Sequence, residues 1–251
     1  RETDVLIENF RPGTMEKLGL DYPALQKLKP DLIYAAISGY GATGPYSKRA
    51  AYDGIIQAMG GMMSITGERD GKPLKVGASI IDIMAGVFCT VGILMAVIHK
   101  TNTGKGQFID VAMLDSQIAI LENAVVRYLV TGEIPAPMGN THMSIFPFET
   151  FCTKDADIMI SAGNNVLWEK LCIAVGRPDM ACDERFADNP SRGKNRDSMY
   201  AEINAALQDK SADEWCKILD NAGVPCSPIN SMDKVLKNPQ VLARDMLVNI
   251  E

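Results

Sequence analysis

DVLIENFRPGTMEKLGLDYPALQKLKPDLIYAAIS, residues 4–38, is the stretch on which the fold turns. Residues 4–10 (DVLIENF) form an apolar, β-suited run that ends in a turn at Pro12-Gly13. Residues 22–28 carry the spacing of a short helix, stopped by Pro30. Residues 31–38 (DLIYAAIS) are a second apolar run, closed by GYGATGP. Strand, helix and strand at this spacing make a βαβ unit. The fold class expected is therefore α/β, with a parallel, Rossmann-like sheet covered by helices.

The chain downstream extends this pattern. Residues 52–63 run from amphipathic to apolar, followed by the turn Gly-Glu-Arg-Asp-Gly at 67–71. Then comes the most apolar stretch of the chain, SIIDIMAGVFCTVGILMAVIH at 79–99, with Asp82 as its only acidic residue. It has about the length needed to span a bilayer, roughly 20 residues. It is isolated in a chain of mean hydropathy near zero, is interrupted by Gly86 and Gly92, and lacks an aromatic belt. These features favour a helix buried on all sides within the domain, its glycines admitting a close neighbour, over a membrane segment. A strand at 107–114 and a helix at 115–130, capped near Gly132, complete the first part.

Pro135-Ala136-Pro137 marks a shift in composition. Beyond it, residues 148–153 and 157–162 read as a hairpin around Lys154-Asp155. A helix from Val166 places Trp168, Leu171, Cys172 and Val175 on one face. Residues 199–207 form another amphipathic helix, Ser211 to Glu214 is a capping box, and Asn238-Pro239 opens the last helix. The organisation expected is a large α/β domain over 1–132, a linker over 133–144 and a small α+β domain over 145–235.

Composition removes several function classes. A chain of 251 residues with 47% hydrophobic and 22% charged residues is neither disordered nor a small disulfide-stapled domain. Acids outnumber bases 31 to 25, which argues against a dedicated nucleic-acid binder while leaving room for a local basic pocket. Cys89, Cys152, Cys172, Cys182, Cys216 and Cys226 form no CxxC pair and read as reduced thiols of a cytoplasmic protein. With only His99 and His142 available, no metal site is expected. Dinucleotide, P-loop and nucleophile-elbow fingerprints are absent.

Three features remain as candidates for chemistry. Asp82 sits near the start of an apolar helix, where the helix dipole and free backbone N–H groups would keep it ionised and fixed; it is either a functional carboxylate or a simple helix-start acid. Glycine-containing turns follow both apolar runs, at Pro12-Gly13 and Gly39-Tyr40-Gly41, where parallel sheets bind ligands. Small basic patches, Arg11 with Lys17 and Lys48 with Arg49, flank these turns.

The ordered motifs DVLIENFRPGTMEKLGL, IYAAISGYGATGPYSKRAAYD, QAMGGMMSITGERDGKP, VGASIIDIMAG, TGKGQFIDVAMLD, MGNTHMSIFPFETF and AGVPCSPINSMDKVLKNPQVLARDM run through nearly the whole chain. In them the sequence resembles the family III CoA-transferases, which include formyl-CoA:oxalate and carnitine-type enzymes and share a fold with α-methylacyl-CoA racemase. The resemblance implies a large CoA-binding domain to which residues 236–251 begin to return. It implies transfer of CoA from an acyl-CoA donor to a carboxylic acid acceptor, with Asp82 forming first an aspartyl anhydride and then an aspartyl-CoA thioester. It assigns CoA contacts to Asn9, Phe10, Arg11, Lys17, Arg49, Ala50, Ala51 and Tyr52. The formyl-CoA branch has Lys where this chain has Ala50, so Arg49 is expected to supply that charge.

Further implications are an interlocked homodimer, CoA thioester as substrate with no permanently bound cofactor, and no membrane or nucleic-acid partner. The racemase branch needs a His thirty positions before the aspartate; Tyr52 stands there, and tyrosine, with a reference pKa of about 10, is a poor base near neutral pH. A 2-methylacyl-CoA racemase or a non-catalytic CoA-binding fragment are the alternatives. The chain starts at Arg1 without Met, and the resemblance, whose members have a further βα unit before DVLIENF and continue past Glu251, implies the middle of a longer enzyme.

Overall fold

The structure, a computed structural model, describes residues 2–248. Arg1 and residues 249–251, which close the segment 236–251, lie outside the described residues. The chain divides into two compact units, Arg1–Gly139 and Asn140–Glu251.

In the first unit, β1 (Val5–Glu8), β2 (Ile33–Ser38) and β3 (Phe108–Ala112) form a parallel sheet in the order β1-β2-β3. The expected βαβ unit is present. A short helix α1 (Thr14–Lys17), which the sequence reading did not separate from the turn, precedes α2 (Tyr22–Leu28). Asp21 caps α2, its side chain accepting from the Ala24 N–H, with Pro23 in the first turn. Period-two alternation sorts the faces of β2 and β3. Ala35, Ile37, Ile109 and Val111 face a core with Ile56, Ile81, Ala85 and Cys89, whereas Tyr34 and Phe108 stack with Tyr22 on the other side.

The amphipathic-to-apolar run over 52–63 forms two helices, α3 (Asp53–Met59) and α4 (Met62–Ile65). Gly61 at φ 92 breaks them, a left-handed conformation that an L side chain resists. The long helix is α5 (Ile80–Thr103). It is not buried on all sides. Only Ile81, Ala85, Cys89 and Ala96 are fully covered, at helical spacing, whereas Ile83, Val87, Val91, Leu94 and Ile98 are exposed within this chain. A helix laid on one face of a three-stranded sheet can bury only a stripe. Of its two glycines, Gly92 admits a close neighbour and Gly86 does not: a Cβ would lie 2.9 Å from Ile109 Cγ2 at Gly92 and meet nothing within 4 Å at Gly86.

The last turn of α5 is pinned. Lys100 Nζ lies 2.8 Å from both Asp4 and Asp31, at the starts of β1 and β2, and holds both carboxyls below their ordinary range. The strand over 107–114 is shorter than expected, because Met113 opens α6 (Met113–Ile120); after a break at Leu121, α7 (Glu122–Thr131) ends at Gly132.

In the second unit, β4 (Phe148–Cys152) and β5 (Asp157–Ser161) form the expected hairpin, Phe148 opposite Ser161. The sheet gains a third strand, β6 (Cys226–Pro228), which runs antiparallel to β5. Its brevity, Pro225 just before it and Pro228 as its last residue hid it from pattern reading. Around the sheet lie α8 (Asn165–Ala174), α9 (Asn189–Lys194), α10 (Arg196–Ala206), α11 (Ala212–Ala222), α12 (Met232–Val235) and α13 (Pro239–Ala243). The Ser211–Glu214 capping box opens α11, and Asn238 caps α13. Phe151, Ile158, Ile160, Trp168, Leu171, Met199, Ile203, Trp215 and Leu219 form one core. Each such side chain contributes about 1.5–3 kcal/mol on burial.

Candidate active site

The site lies wholly in the first unit, at the carboxyl ends of the parallel strands, where sheets of this class bind ligands. The turn after β1 brings Asn9, Phe10, Arg11 and Pro12; the end of β2 brings Ile37, Ser38 and Gly39; the loop before α3 brings Arg49, Ala50, Ala51 and Tyr52. Asp82 and Ala85 from α5 and Met113 from α6 close the wall of a cavity of about 700 Å³. That volume is within the range of small-molecule pockets, roughly 300–1,000 Å³.

Asn9, Phe10, Arg11, Arg49, Ala50, Ala51, Tyr52 and Asp82, separated by up to 73 positions (9 to 82) in the chain, thus line one cavity. Lys17 is not among its lining residues; it lies exposed at the end of α1. The resemblance placed Lys17 by its position in the motif MEKLGL.

Two arginines give the cavity its positive charge. Arg49 is oriented by aromatic rings, its guanidinium carbon 4.7 Å from the Tyr46 ring centroid and 5.8 Å from that of Tyr40, within cation–π range. The adjacent Ala50 lines the same cavity, so a guanidinium does stand beside the place where the formyl-CoA pattern has Lys. Arginine presents a planar fork suited to phosphate and carboxylate oxygens. The GYGATG loop is latched from β3: both Asp110 carboxylate oxygens accept the Ala42 N–H, at 2.9 and 3.1 Å, and Ser38 Oγ accepts from Gly41.

Asp82 occupies the first turn of α5, exposed and on the cavity wall. The Asp82 pKa is raised, first by partial desolvation and then by the negative charge of Asp53. No donor among the described residues reaches its carboxylate. A carboxylate made more basic, without hydrogen bonds to quench its lone pairs, is a better nucleophile than an ordinary surface aspartate.

Asp53 and Gln57, both buried on α3, were missed by sequence reading. Asp53 Oδ1 accepts the Ile81 N–H at 2.9 Å and Oδ2 accepts from Gln57 Nε2 at 2.7 Å. Gln57 Oε1 in turn accepts the Val76 N–H at 2.8 Å. The available signal was a carboxylate and an amide four residues apart in the apolar run DGIIQAM.

A parallel α/β sheet thus carries two arginines and the Asp82 carboxylate around one cavity. The sequence profile of CoA-transferase family III matches residues 1–251, and the chain belongs to that family. It is 43% identical over 249 residues to the acetyl-CoA:oxalate CoA-transferase of Acetobacter aceti, covering 99% of this chain and 64% of that protein. It is 40% identical over 251 residues to the succinate–glutarate CoA-transferase of Agrobacterium fabrum, covering 100% and 63%. Among solved structures, a CAIB/BAIF family protein from Brucella suis superposes with a TM-score of 0.89 at 41% identity, over 98% of this chain and 65% of that one. The chain therefore spans a little under two thirds of the length of the relatives it matches.

Proposed function

We propose that this chain carries the nucleophile and part of the CoA site of a CoA-transferase that moves CoA from an acyl-CoA donor to a carboxylic acid acceptor. The observation that carries this reading is the gathering of Asp82, Arg11, Arg49 and Tyr52 around one cavity. The names of relatives, which act on oxalate, on succinate and glutarate, and on mesaconate, support a short dicarboxylic acid as acceptor.

In the reaction, an Asp82 carboxylate oxygen attacks the donor thioester carbonyl. The new C–O bond gives a mixed anhydride as the C–S bond breaks and CoA leaves as its thiolate. The thiolate attacks the aspartyl carbonyl of the anhydride, expels the donor acid as carboxylate and leaves an aspartyl-CoA thioester. The acceptor carboxylate then attacks the thioester carbonyl and releases CoA thiolate, which returns to the acceptor carbonyl and frees Asp82. Every intermediate remains an activated acyl group, so the bond energy of the donor thioester is retained. Arg11 and Arg49 would hold the phosphates or the acid carboxylates, and the turn at Asn9 and Phe10 would hold the CoA chain. Exclusion of water protects both intermediates. A homodimeric assembly and a reducing cytoplasmic setting belong to the same reading.

Hydroxylamine trapping tests it. With full-length protein and acetyl-CoA or succinyl-CoA as donor, mass spectrometry is expected to find a hydroxamate on Asp82, absent in Asp82→Asn. Turnover of a donor with no adduct at Asp82 would refute the covalent route.

A further inference from the structure

The first turn of α5 has no cap of its own. Ser79, at the cap position, makes no side-chain hydrogen bond to the helix, and Gly77, Ala78 and Ser79 are exposed. Free N–H groups at such an end fray unless something accepts them. Here the acceptor comes from another helix. Asp53, 8% exposed, takes the Ile81 N–H, and Gln57, fully buried, links Asp53 to the Val76 N–H. Two backbone donors on either side of the Gly77–Ser79 segment are thereby tied to one face of α3.

We propose that Asp53 and Gln57 are positioning residues for the Asp82 nucleophile, a three-bond clasp that fixes the first turn of α5 on α3 and holds the Asp82 carboxyl at the cavity wall. The inference rests on the acyl-transfer reading of that site. The polarity of the clasp is specific. Val76 and Ile81 both offer N–H, so Gln57 must turn its oxygen to Val76 and its NH₂ to Asp53, and Asp53 must accept on both oxygens. Only a carboxylate does so; asparagine has one acceptor oxygen. The clasp also places a negative charge behind the nucleophile and so favours a more basic Asp82. The other charged or titratable side chains on the cavity wall are Arg11, Arg49 and Tyr52.

The test uses full-length protein, its Asp53→Asn and Gln57→Met variants, and whichever of acetyl-CoA or succinyl-CoA gives the Asp82 hydroxamate. In Asp53→Asn, kcat is expected to fall about 10- to 100-fold, the cost of slight misplacement of a reacting group, with KM for the acyl-CoA held within about threefold. The acid limb of its rate profile is expected to move to lower pH, because the charge that made Asp82 more basic has gone. In Gln57→Met, kcat is expected to fall while the acid limb stays in place, since Asp53 keeps its charge. A purely structural role would lower activity in both without moving the limb in either. Wild-type kcat in either folded variant, or an unmoved limb in Asp53→Asn, would overturn the clasp while the trapped wild-type adduct leaves the acyl-transfer reading standing. If Asp53→Asn does not fold, Gln57→Met decides, and unchanged kcat there refutes the proposal. A wild-type enzyme without an Asp82 adduct would overturn both.

Discussion

Gly86 and Gly92 lie six residues apart in α5 and look alike in sequence, yet the structure predicts opposite effects for the same substitution. Glycine to alanine inside a helix gains about 0.8–1 kcal/mol from backbone propensity. At Gly86 nothing lies within 4 Å of the new methyl, so Gly86→Ala is expected to realise the full gain. At Gly92 the methyl would meet Ile109 Cγ2 at 2.9 Å, where apolar carbons ordinarily rest about 3.5–4.0 Å apart. Ile109 is β-branched and held in β3, so its Cγ2 cannot swing aside as a long chain end can. Overpacking of this kind costs about 1–3 kcal/mol. Gly92→Ala is therefore expected to be neutral to about 2 kcal/mol destabilising. The propensity gain is common to both variants, and the difference between them isolates the overlap. Urea unfolding followed by far-UV circular dichroism measures it, from the midpoints and a shared m-value. In the double variant Gly92→Ala/Ile109→Ala the clash is relieved, and a favourable coupling of about 1 kcal/mol is expected. Equal stabilisation by both alanines, or no coupling with Ile109, would refute the packing of α5 on β3 described above.

Two further outcomes follow from the same geometry. Because burial and Asp53 raise the Asp82 pKa in the folded state, its contribution to stability is full below the ordinary carboxyl value near 3.8 and is lost as pH rises through the folded value. Asp82→Asn is therefore expected to raise Tm near neutral pH and to match the parent in strongly acidic buffer; a lower neutral Tm would contradict this. In the second unit, the fully buried Arg192 donates to the Phe146, Phe186 and Gly163 carbonyls and to Asn165 Oδ1. Arg192→Met strands those acceptors and is expected to cost at least about 3 kcal/mol, read by the fluorescence of Trp168 and Trp215, the chain's two tryptophans, both in this unit.

The βαβ opening, the hairpin, the capping box at Ser211 and the family were legible because each rests on local order: alternation, turn chemistry and motif spacing. Asp82 stood out as a lone carboxylate in an apolar run, but its role as nucleophile came from the motif resemblance. The split of 52–63 into two helices turned on the conformation of Gly61, which composition alone does not reveal. The exposed stripe of α5 was illegible because an all-apolar helix has no polar face to show which side the sheet covers. The second-unit strand β6 was not legible because strand pairing is settled by distant neighbours.

By itself, the sequence determined the parallel α/β class, through periodicity, and, through the resemblance of its ordered motifs, the family, the candidate nucleophile and most of the cavity's lining. Only the tertiary structure decided that Asp53 and Gln57 accept and relay the backbone N–H groups at the α5 terminus, that Gly92 and not Gly86 is the close approach, and that Asp53 stands near Asp82. Hydrogen-bond polarity, methyl contacts and the proximity of like charges depend on which residues meet across 17 to 29 positions of intervening chain (Gly92 with Ile109, Asp53 with Asp82), and that meeting is fixed by packing.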